Sequence, residues 1–569
     1  MKVSLSWLKE LVDIKLSSKE LSDKLSLYSI GVKQFNDNFL ELDLTYNRGD
    51  LLSIRGVARE FAAVTGSKLL FSAADKNDYP WVGKSLLKTP VKIESKELSA
   101  VQCVAKIEGL KLDKSPKEWV KKLEDCGMRS VNNLVDVTNL IMLEFGQPLH
   151  AFDERRVKDE LIEVRKAKKS EDLTTLDNKL RKLTPQDIVL ADSEKALDVA
   201  GVMGGKDTEV VESSSTILLS ASLFNPMMVR NTSKRLGLSS EASRRFQHGL
   251  TKTGLMQALA AAIKMYESLG GKLTALTLIG NLEDQPKALT LTEEKLNSLI
   301  GINIPANFVE KALQRLGFHL ERVGVNVDHL EGRLAWHVLP PYWRLDINIE
   351  EDLIEEVARM YGYEKIPGQE LAGEKPEKLD ESLQNLVYDL KKALKNAGLL
   401  EVQTYSFFSS KIISNFQFPI SNLVKIANPI SSETEYLRQS IWPNLLEVVE
   451  RNLKHGFSDI AVFEIGKAYY VEEDLPREKY RLSIALCNGT DNPLSELYQI
   501  VQNVWKFLKD VAVTKTDPKD LAANLCHPNR YFELERDGKQ IGGLSEVHLR
   551  ILNKLGIEKR VAVMEVEFS

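Results

Sequence analysis

The feature that most restricts how this chain can fold is residues 340–367, where an apolar segment runs directly into an acidic helix. The stretch reads PPYWRLDINIEEDLIEEVARMYGYEKIP. The paired prolines exclude a helix before Tyr342, and the Trp and Ile residues that follow predict a short strand. Three consecutive acidic residues, Glu350–Asp352, are typical of a helix N-terminus, and Gly362 marks the end of that helix.

Carboxylates in this stretch form a first candidate site. Asp352, Glu355 and Glu356 recur at three- and four-residue spacing on the helix, and Asp346 lies just before it. Oxygen ligands of this kind suit Mg²⁺, which takes a few carboxylates and keeps several waters. The same pattern is expected of an acidic first turn that complements the helix dipole, followed by a solvated face. Spacing alone favours the second interpretation.

Composition excludes several classes of protein. With 569 residues, 43% hydrophobic and 28% charged, the chain is typical of a globular protein of roughly three to five domains. A net charge of −5 argues against a uniformly basic nucleic-acid-binding surface. No apolar run approaches the roughly 18 residues of a membrane span, and the N-terminus lacks a signal peptide. The scattered cysteines form no CxxC pair, which favours a reducing cytoplasm.

Changes of pattern divide the chain into four parts. Residues 1–90 contain amphipathic helices, an alternating strand and a polar linker, and residues 91–282 form a larger second part. Residues 286–367 are a compact third part that ends with the acidic helix. Residues 377–569 alternate strands with helices. The predicted fold class is therefore α+β and multidomain.

Two weaker signals lie in the second part. The segment AGVMGG at 200–205 could cradle a phosphate, but it lacks a GK[ST] or a full GxGxxG, so a close-packed turn is favoured. Basic residues are concentrated in 232–250 and could meet phosphates, although a solvated basic face is equally expected.

Several long motifs follow one another in an order that identifies a family. They are MKVSLSWLKELVD, TYNRGDLLSIRGVAREFAAVTG, GMRSVNNLVDVTNLIMLEFGQPLHAFD, AGVMGG, the acidic stretch above, NPISSETEYLRQSIWPNLLEVVERNLKHG, FEIGKAYY, HPNR and IGGLSEVH. They span nearly the whole chain, which resembles the β subunit of bacterial-type phenylalanyl-tRNA synthetase. The resemblance implies an N-terminal α/β unit, a B3/B4 editing-like domain, a B5 domain and a class II synthetase-like antiparallel-sheet domain.

The resemblance also implies a ligase that works only as a complex. In the family an α subunit makes phenylalanyl-adenylate from ATP, and an α₂β₂ heterotetramer attaches phenylalanine to tRNA(Phe). The resemblance also implies a cytoplasmic location and no association with a membrane. We expect no catalytic residue for aminoacylation in this chain, because the class II Arg–Glu motif and the Gly-rich motif ending in Arg have no clear copy here. The family's Mg²⁺, shared with the α subunit, would be held by the matching Asp346, Asp352, Glu355 and Glu356.

A second implied activity is hydrolysis of tyrosine wrongly attached to tRNA(Phe), since an apolar phenylalanine site rejects an added hydroxyl poorly. By resemblance the editing pocket is lined by Thr138, Asn139, Pro148, His150, Gly204, Ser220, Ser240 and Ala242. His150 would position water near the scissile ester, whereas taken alone it would be interpreted as a structural histidine. Family members usually have a Glu at position 220 that recognises the tyrosine hydroxyl. Ser220 is shorter and neutral, so we expect weakened or absent editing.

Two usual parts of the family are not found. The segment from Gly31 to Leu40 is too short for the OB-fold tRNA-binding insert, and no ferredoxin-like anticodon-binding domain follows VAVMEVEFS. We therefore expect reduced or rearranged contacts with tRNA. One alternative function is a free-standing trans-editing hydrolase of mischarged tRNA, and another is a binding protein unrelated to charging. The retained carboxylates and catalytic-like domain favour the ligase subunit over both.

Overall fold

A computed structural model describes residues 1–72, 79–325, 333–368, 370, 373, 380–472, 475–508, 511–519 and 524–568. The chain divides into two units, Met1–Glu370 and Leu371–Ser569. Within the described residues no helix combines the length and apolarity needed to cross a membrane. The prediction of an α+β multidomain protein is confirmed.

The N-terminal region is a three-stranded antiparallel sheet, in the order β1-β3-β2, packed against helices. Alternate side chains of the middle strand, Leu40 and Leu42, are buried against those helices, as expected of a sheet with one solvent-exposed face. The second and third strands form a hairpin, so no domain is inserted between them. The elements are β1 (Lys2–Ser4), α1 (Leu5–Leu11), α2 (Ser18–Tyr28), β2 (Gly31–Phe35), β3 (Phe39–Asp43) and α3 (Ile54–Thr65).

Two larger sheets make up residues 91–280. One is four-stranded and antiparallel, with the order β14-β5-β13-β6, and the other is five-stranded, with the order β12-β11-β10-β7-β4. The strands are β4 (Val91–Ile93), β5 (Ser99–Glu108), β6 (Leu149–Asp153), β7 (Ile162–Lys166), β8 (Asp172–Thr174), β9 (Leu180–Lys182), β10 (Ile188–Ala191), β11 (Ala196–Val199), β12 (Met203–Gly204), β13 (Thr216–Phe224) and β14 (Lys272–Gly280). The helices are α4 (Lys117–Asp125), α5 (Asn133–Phe145), α6 (Pro226–Leu236), α7 (Glu241–Gln247) and α8 (Lys252–Ser268).

Strand β13 is where these two layers meet. Because side chains alternate along a strand, Ile217 and Leu219 pack with α5 and α8 in one core. Leu218 and Phe224 point the other way and pack with β10 and β11 in a second core. Ser220 shares the parity of Leu218 and Phe224, and it is therefore carried toward the second sheet.

The third region is a three-stranded antiparallel sheet, β15-β17-β16, covered by three helices. The acidic helix has the predicted bounds. The strand predicted for residues 343–349 is wrong, since this segment forms turns after β17 ends. Pro340 and Pro341 have no N–H to continue a ladder, and Arg344 N donates to Pro341 O at 3.0 Å to close a turn. The elements are β15 (Leu289–Thr292), α9 (Glu293–Ile300), α10 (Ala306–Arg315), β16 (His319–Val325), β17 (Arg333–Leu339) and α11 (Glu350–Tyr361).

The second unit is built on a seven-stranded sheet in the order β18-β21-β22-β26-β25-β24-β23, antiparallel except for the β18–β21 pair. One face is covered by α13, α14 and α16, and the other by α12 and α15. The elements are α12 (Ser382–Asn396), β18 (Leu400–Glu401), β19 (Phe407–Phe408), α13 (Ser410–Phe416), β20 (Tyr436–Leu437), α14 (Trp442–Lys454), β21 (Ile460–Tyr470), β22 (Arg477–Cys487), α15 (Pro493–Trp505), β23 (Ala512–Lys515), β24 (Cys526–Arg536), β25 (Lys539–Val547), α16 (Leu549–Leu555) and β26 (Ala562–Glu567).

Candidate functional site

A cavity of about 80 Å³ lies between the two sheets of residues 91–280. Five of the eight residues predicted for the editing pocket line it, namely Pro148, His150, Gly204, Ser220 and Ala242. The remaining lining is mostly apolar and comes from β6, β10, β11, the bend after β11, β12, β13 and α7. Local sequence motifs that are distant along the chain therefore do meet at one place.

Strand pairing sets the relative positions of the polar groups. His150 on β6 lies directly opposite Ser220 on β13. In the second sheet, Asp198 on β11 lies directly opposite Gly204 on β12. A Cβ on Gly204 would be 2.6 Å from His150 Cε1, so a larger residue here would displace the imidazole. The Gly-rich bend therefore lets the backbone pass close to His150. This agrees with the close-packed turn that the sequence favours.

His150 is held as a neutral imidazole. Its burial lowers its pKa to about 4. The ring packs against Phe152 at a centroid distance of 4.4 Å. Within the part of the chain that the structure describes, its buried Nε2 has no hydrogen-bond partner. An imidazole in this state can orient a water molecule through Nε2 at neutral pH.

Ser220 already has a hydrogen-bond partner, Gln102, which the sequence motifs do not indicate. Gln102 on β5 donates from Nε2 to Ser220 Oγ at 2.9 Å, and its Oε1 accepts from Ser222 Oγ. All three side chains are buried. The hydroxyl at position 220 is thus tied to the sheet.

The other three predicted pocket residues are not part of the cavity lining. Thr138 and Asn139 lie on α5, where Thr138 Oγ1 donates to Val135 O at 2.7 Å within the helix. Ser240 caps α7 and donates from Oγ to Val202 O at 2.7 Å. Ser240 therefore holds the Gly-rich bend in place.

The acidic stretch is organised differently, around arginines. Glu356 is almost fully buried and accepts from Arg344 Nη1 at 2.6 Å and from Arg359 Nη2 at 2.6 Å. Asp346 accepts two hydrogen bonds from Arg344, each of 2.8 Å. Burial alone would raise the pKa of Glu356, but the two guanidiniums outweigh it and hold this pKa well below its usual range.

This cluster extends into the N-terminal region. Arg359 Nη1 also donates to Glu60 Oε1 at 2.6 Å, and Arg48 Nη2 donates to Glu60 Oε2 at 2.8 Å. We call the side chains of Arg48, Glu60, Arg344, Asp346, Glu356 and Arg359 the buried ion network. It connects α3 with α11, so the carboxylates of this stretch stabilise the packing of two regions.

The four carboxylates predicted to hold Mg²⁺ do not fit that ion as they are arranged. Asp346 and Glu356 are neutralised by arginines. Asp352 caps α11, because its Oδ2 accepts from the N–H groups of Asn348 and Ile349 at 2.7 and 3.0 Å. Glu355 is exposed on the helix. No group of three or more metal-ligating side chains is found among the described residues. We therefore derive no step through magnesium.

The second unit has its own cavity, of about 300 Å³, beside the seven-stranded sheet. Arg481 at its wall is paired with Glu565 at 2.5 Å and with Glu567 at 3.6 Å. Glu565 also accepts from Ser440 Oγ at 2.8 Å. The charge of this arginine is therefore compensated inside the fold.

Comparison with known proteins agrees with this architecture. Residues 100–271 match the B3/4 domain, residues 289–363 the tRNA synthetase B5 domain, and residues 366–568 the phenylalanyl tRNA synthetase beta chain CLM domain. The last match begins ahead of the boundary predicted at residue 377. These modules place the chain in the class of aminoacyl-tRNA synthetase proteins.

Curated relatives specify the family. The chain is 34% identical to the phenylalanine--tRNA ligase beta subunit of Protochlamydia amoebophila, over 95% of this chain and 68% of that protein. It is 34% identical to that of Syntrophotalea carbinolica, over 93% and 67%, and 33% identical to that of Bacillus thuringiensis, over 96% and 69%. The chain belongs to the family of phenylalanine--tRNA ligase beta subunits, which confirms the resemblance found in the sequence.

Proposed function

We propose that this chain works with an α subunit, in an α₂β₂ heterotetramer, in the ATP-dependent attachment of phenylalanine to tRNA(Phe). The observation that carries the proposal is the match to ligase β subunits along nearly the whole chain, including the catalytic-like unit. The paired state of Arg481 supports a non-catalytic role for that unit, because a charge-compensated arginine is a poor ligand for ATP phosphates. ATP is then bound by the partner.

The test is aminoacylation of tRNA(Phe) by the chain alone, by the α subunit alone and by the mixture. We expect charging only in the mixture, and a heterotetramer in analytical ultracentrifugation. Charging by neither component nor the mixture would contradict the proposal. Hydrolysis of Tyr-tRNA(Phe) by the isolated chain, without charging in the mixture, would instead favour the trans-editing hydrolase.

We further propose that the cavity between the sheets hydrolyses the ester of tyrosine on tRNA(Phe), more weakly than a relative with Glu at position 220. His150 is neutral and its Nε2 has no partner among the described residues, so this nitrogen is suited to orient the attacking water. Ser220 is short and tied to Gln102, so it offers the substrate less than a longer carboxylate would.

A further inference from the structure

Asp198 is a buried acid whose burial is not explained by interactions that stabilise the fold. It lies on β11 with 6% of its surface exposed, and it lines the same cavity as His150 and Ser220. Within the described part of the chain, its Oδ1 has no hydrogen-bond partner. Buried apolar side chains, including Leu190 and Phe246, make up much of the cavity lining around it. A carboxyl group in such a place is unfavourable for stability unless something binds it.

Other buried acids of the same region show what a structural aspartate looks like here. Asp136, Asp153, Asp187 and Asp192 are each at most 4% exposed. All four accept hydrogen bonds from side chains or backbone N–H groups. Asp198 differs from them because it lines the cavity and because its Oδ1 has no partner among the residues that the structure describes. This difference indicates a ligand.

Asp198 shares the cavity with other polar side chains, among them those of His150 and Ser220. It lies opposite Gly204, whose missing side chain leaves room for the His150 imidazole. His150 in turn lies opposite Ser220. Among the described residues, Asp198 Oδ1 and His150 Nε2 are the two fully buried polar side-chain atoms of the cavity lining that have no hydrogen-bond partner. One can recognise a substrate while the other orients water.

We propose that Asp198 recognises the phenolic hydroxyl of a tyrosyl ester in this cavity and thereby determines its specificity. This inference rests on the proposed proofreading function. A tyrosyl hydroxyl hydrogen-bonds the Asp198 carboxyl group, whereas a phenylalanyl ring leaves that group buried and unpaired. A site built around a polar group rejects the ligand that lacks the matching hydroxyl, so correctly charged tRNA is spared. Ser220 is less suited to this contact, because its Oγ already accepts a hydrogen bond from Gln102 Nε2 and its side chain is short and neutral.

The chemical state of Asp198 is consistent with this role. Burial raises its pKa to about 7. Near neutral pH a large share of the carboxyl groups is therefore protonated, and this form can both donate to and accept from a phenol. The neutral form is also the one that the apolar cavity tolerates in the absence of substrate.

The test measures deacylation of Tyr-tRNA(Phe) and Phe-tRNA(Phe) by the complex with the α subunit. Both substrates are charged beforehand by a separate synthetase, so the result stands whether or not the complex itself aminoacylates. For Asp198→Ala we expect kcat/KM for Tyr-tRNA(Phe) to fall by roughly 10- to 100-fold, the range for a hydrogen bond to a charged or buried partner. Aminoacylation and thermal stability should not fall. Asp207→Asn, an exposed acid outside the cavity, is the matched control and should behave like the native chain.

A second variant moves the carboxyl group across the cavity. In Asp198→Ala/Ser220→Glu, we expect Tyr-tRNA(Phe) deacylation to recover at least partly, because position 220 lies on the facing strand of the same cavity. Native-like deacylation by Asp198→Ala would overturn the inference, and so would a loss of stability and charging in that variant. The absence of Tyr-tRNA(Phe) deacylation by the native complex would also overturn it, while normal charging would leave the ligase proposal intact.

Discussion

The cavity around His150 and the buried ion network both contain buried ionisable side chains, but the two regions differ in how these side chains are paired. In the network, Glu356 and its two arginines satisfy one another. In the cavity, Asp198 Oδ1 and His150 Nε2 are buried without partners among the described residues. An unpaired buried polar group is unfavourable, and two such groups that line one cavity can be satisfied together by a bound ligand or water. The comparison thus separates a structural cluster from a binding site.

The largest effect is expected from breaking the network. Glu356→Gln leaves Arg344 and Arg359 facing a neutral group, and removal of one partner from a buried ion pair lowers the free energy of unfolding by ~3–5 kcal/mol. Chemical denaturation of the chain, with MgCl₂ and with EDTA, measures this. The loss should be the same under both conditions.

Glu355→Gln is the control for that experiment, since Glu355 is the exposed neighbour on the same helix. We expect a change within about 0.5 kcal/mol, as for a surface position. A stabilisation of the native chain by Mg²⁺ that both variants abolish would contradict the structural interpretation and restore the metal site.

The next largest effect is a pH dependence of the free energy of unfolding, which we expect from Asp198 in the cavity. The folded-state pKa of Asp198 is raised to about 7 from its ordinary value near 3.8. Below pH 3.8 both states hold the proton, and as pH rises toward 7 only the unfolded state releases it. This favours unfolding by on the order of 3–4 kcal/mol by pH 7.

Asp198→Asn removes this titration. Its free energy of unfolding relative to the native chain should therefore rise from pH 4 to pH 7 and change little above pH 8. Urea denaturation at several pH values checks the slope. A constant difference across this range would show that folding does not raise the pKa of Asp198.

A smaller effect is expected where the backbone approaches His150. In Gly204→Ala the new methyl group meets the imidazole, and overpacking of this kind lowers stability by about 1–3 kcal/mol. Displacement of His150 should also slow Tyr-tRNA(Phe) deacylation. Gly31→Ala is a matched control, because the nearest atom to its Cβ is at an ordinary 3.5 Å. Equal activity of the two variants would remove His150 from the proposed mechanism.

How well the sequence predicted each region depends on the range of the interactions involved. Helix α11 was predicted with its bounds, because capping by Asp352 and termination at Gly362 are local effects. The strand predicted just before it was wrong, since apolar content cannot show that no partner strand is available after two prolines. Asp198 was missed, although one acid within the apolar run of β11 was a usable signal.

The sequence by itself determined the bounds of helix α11 and the family to which the chain belongs. Only the tertiary structure decided which carboxylates are neutralised and which are free. Glu60 and Arg359 are 299 positions apart, and no spacing rule connects them. Ion pairing and burial depend on which distant segments pack together, so the role of an acid is decided by its neighbours in space.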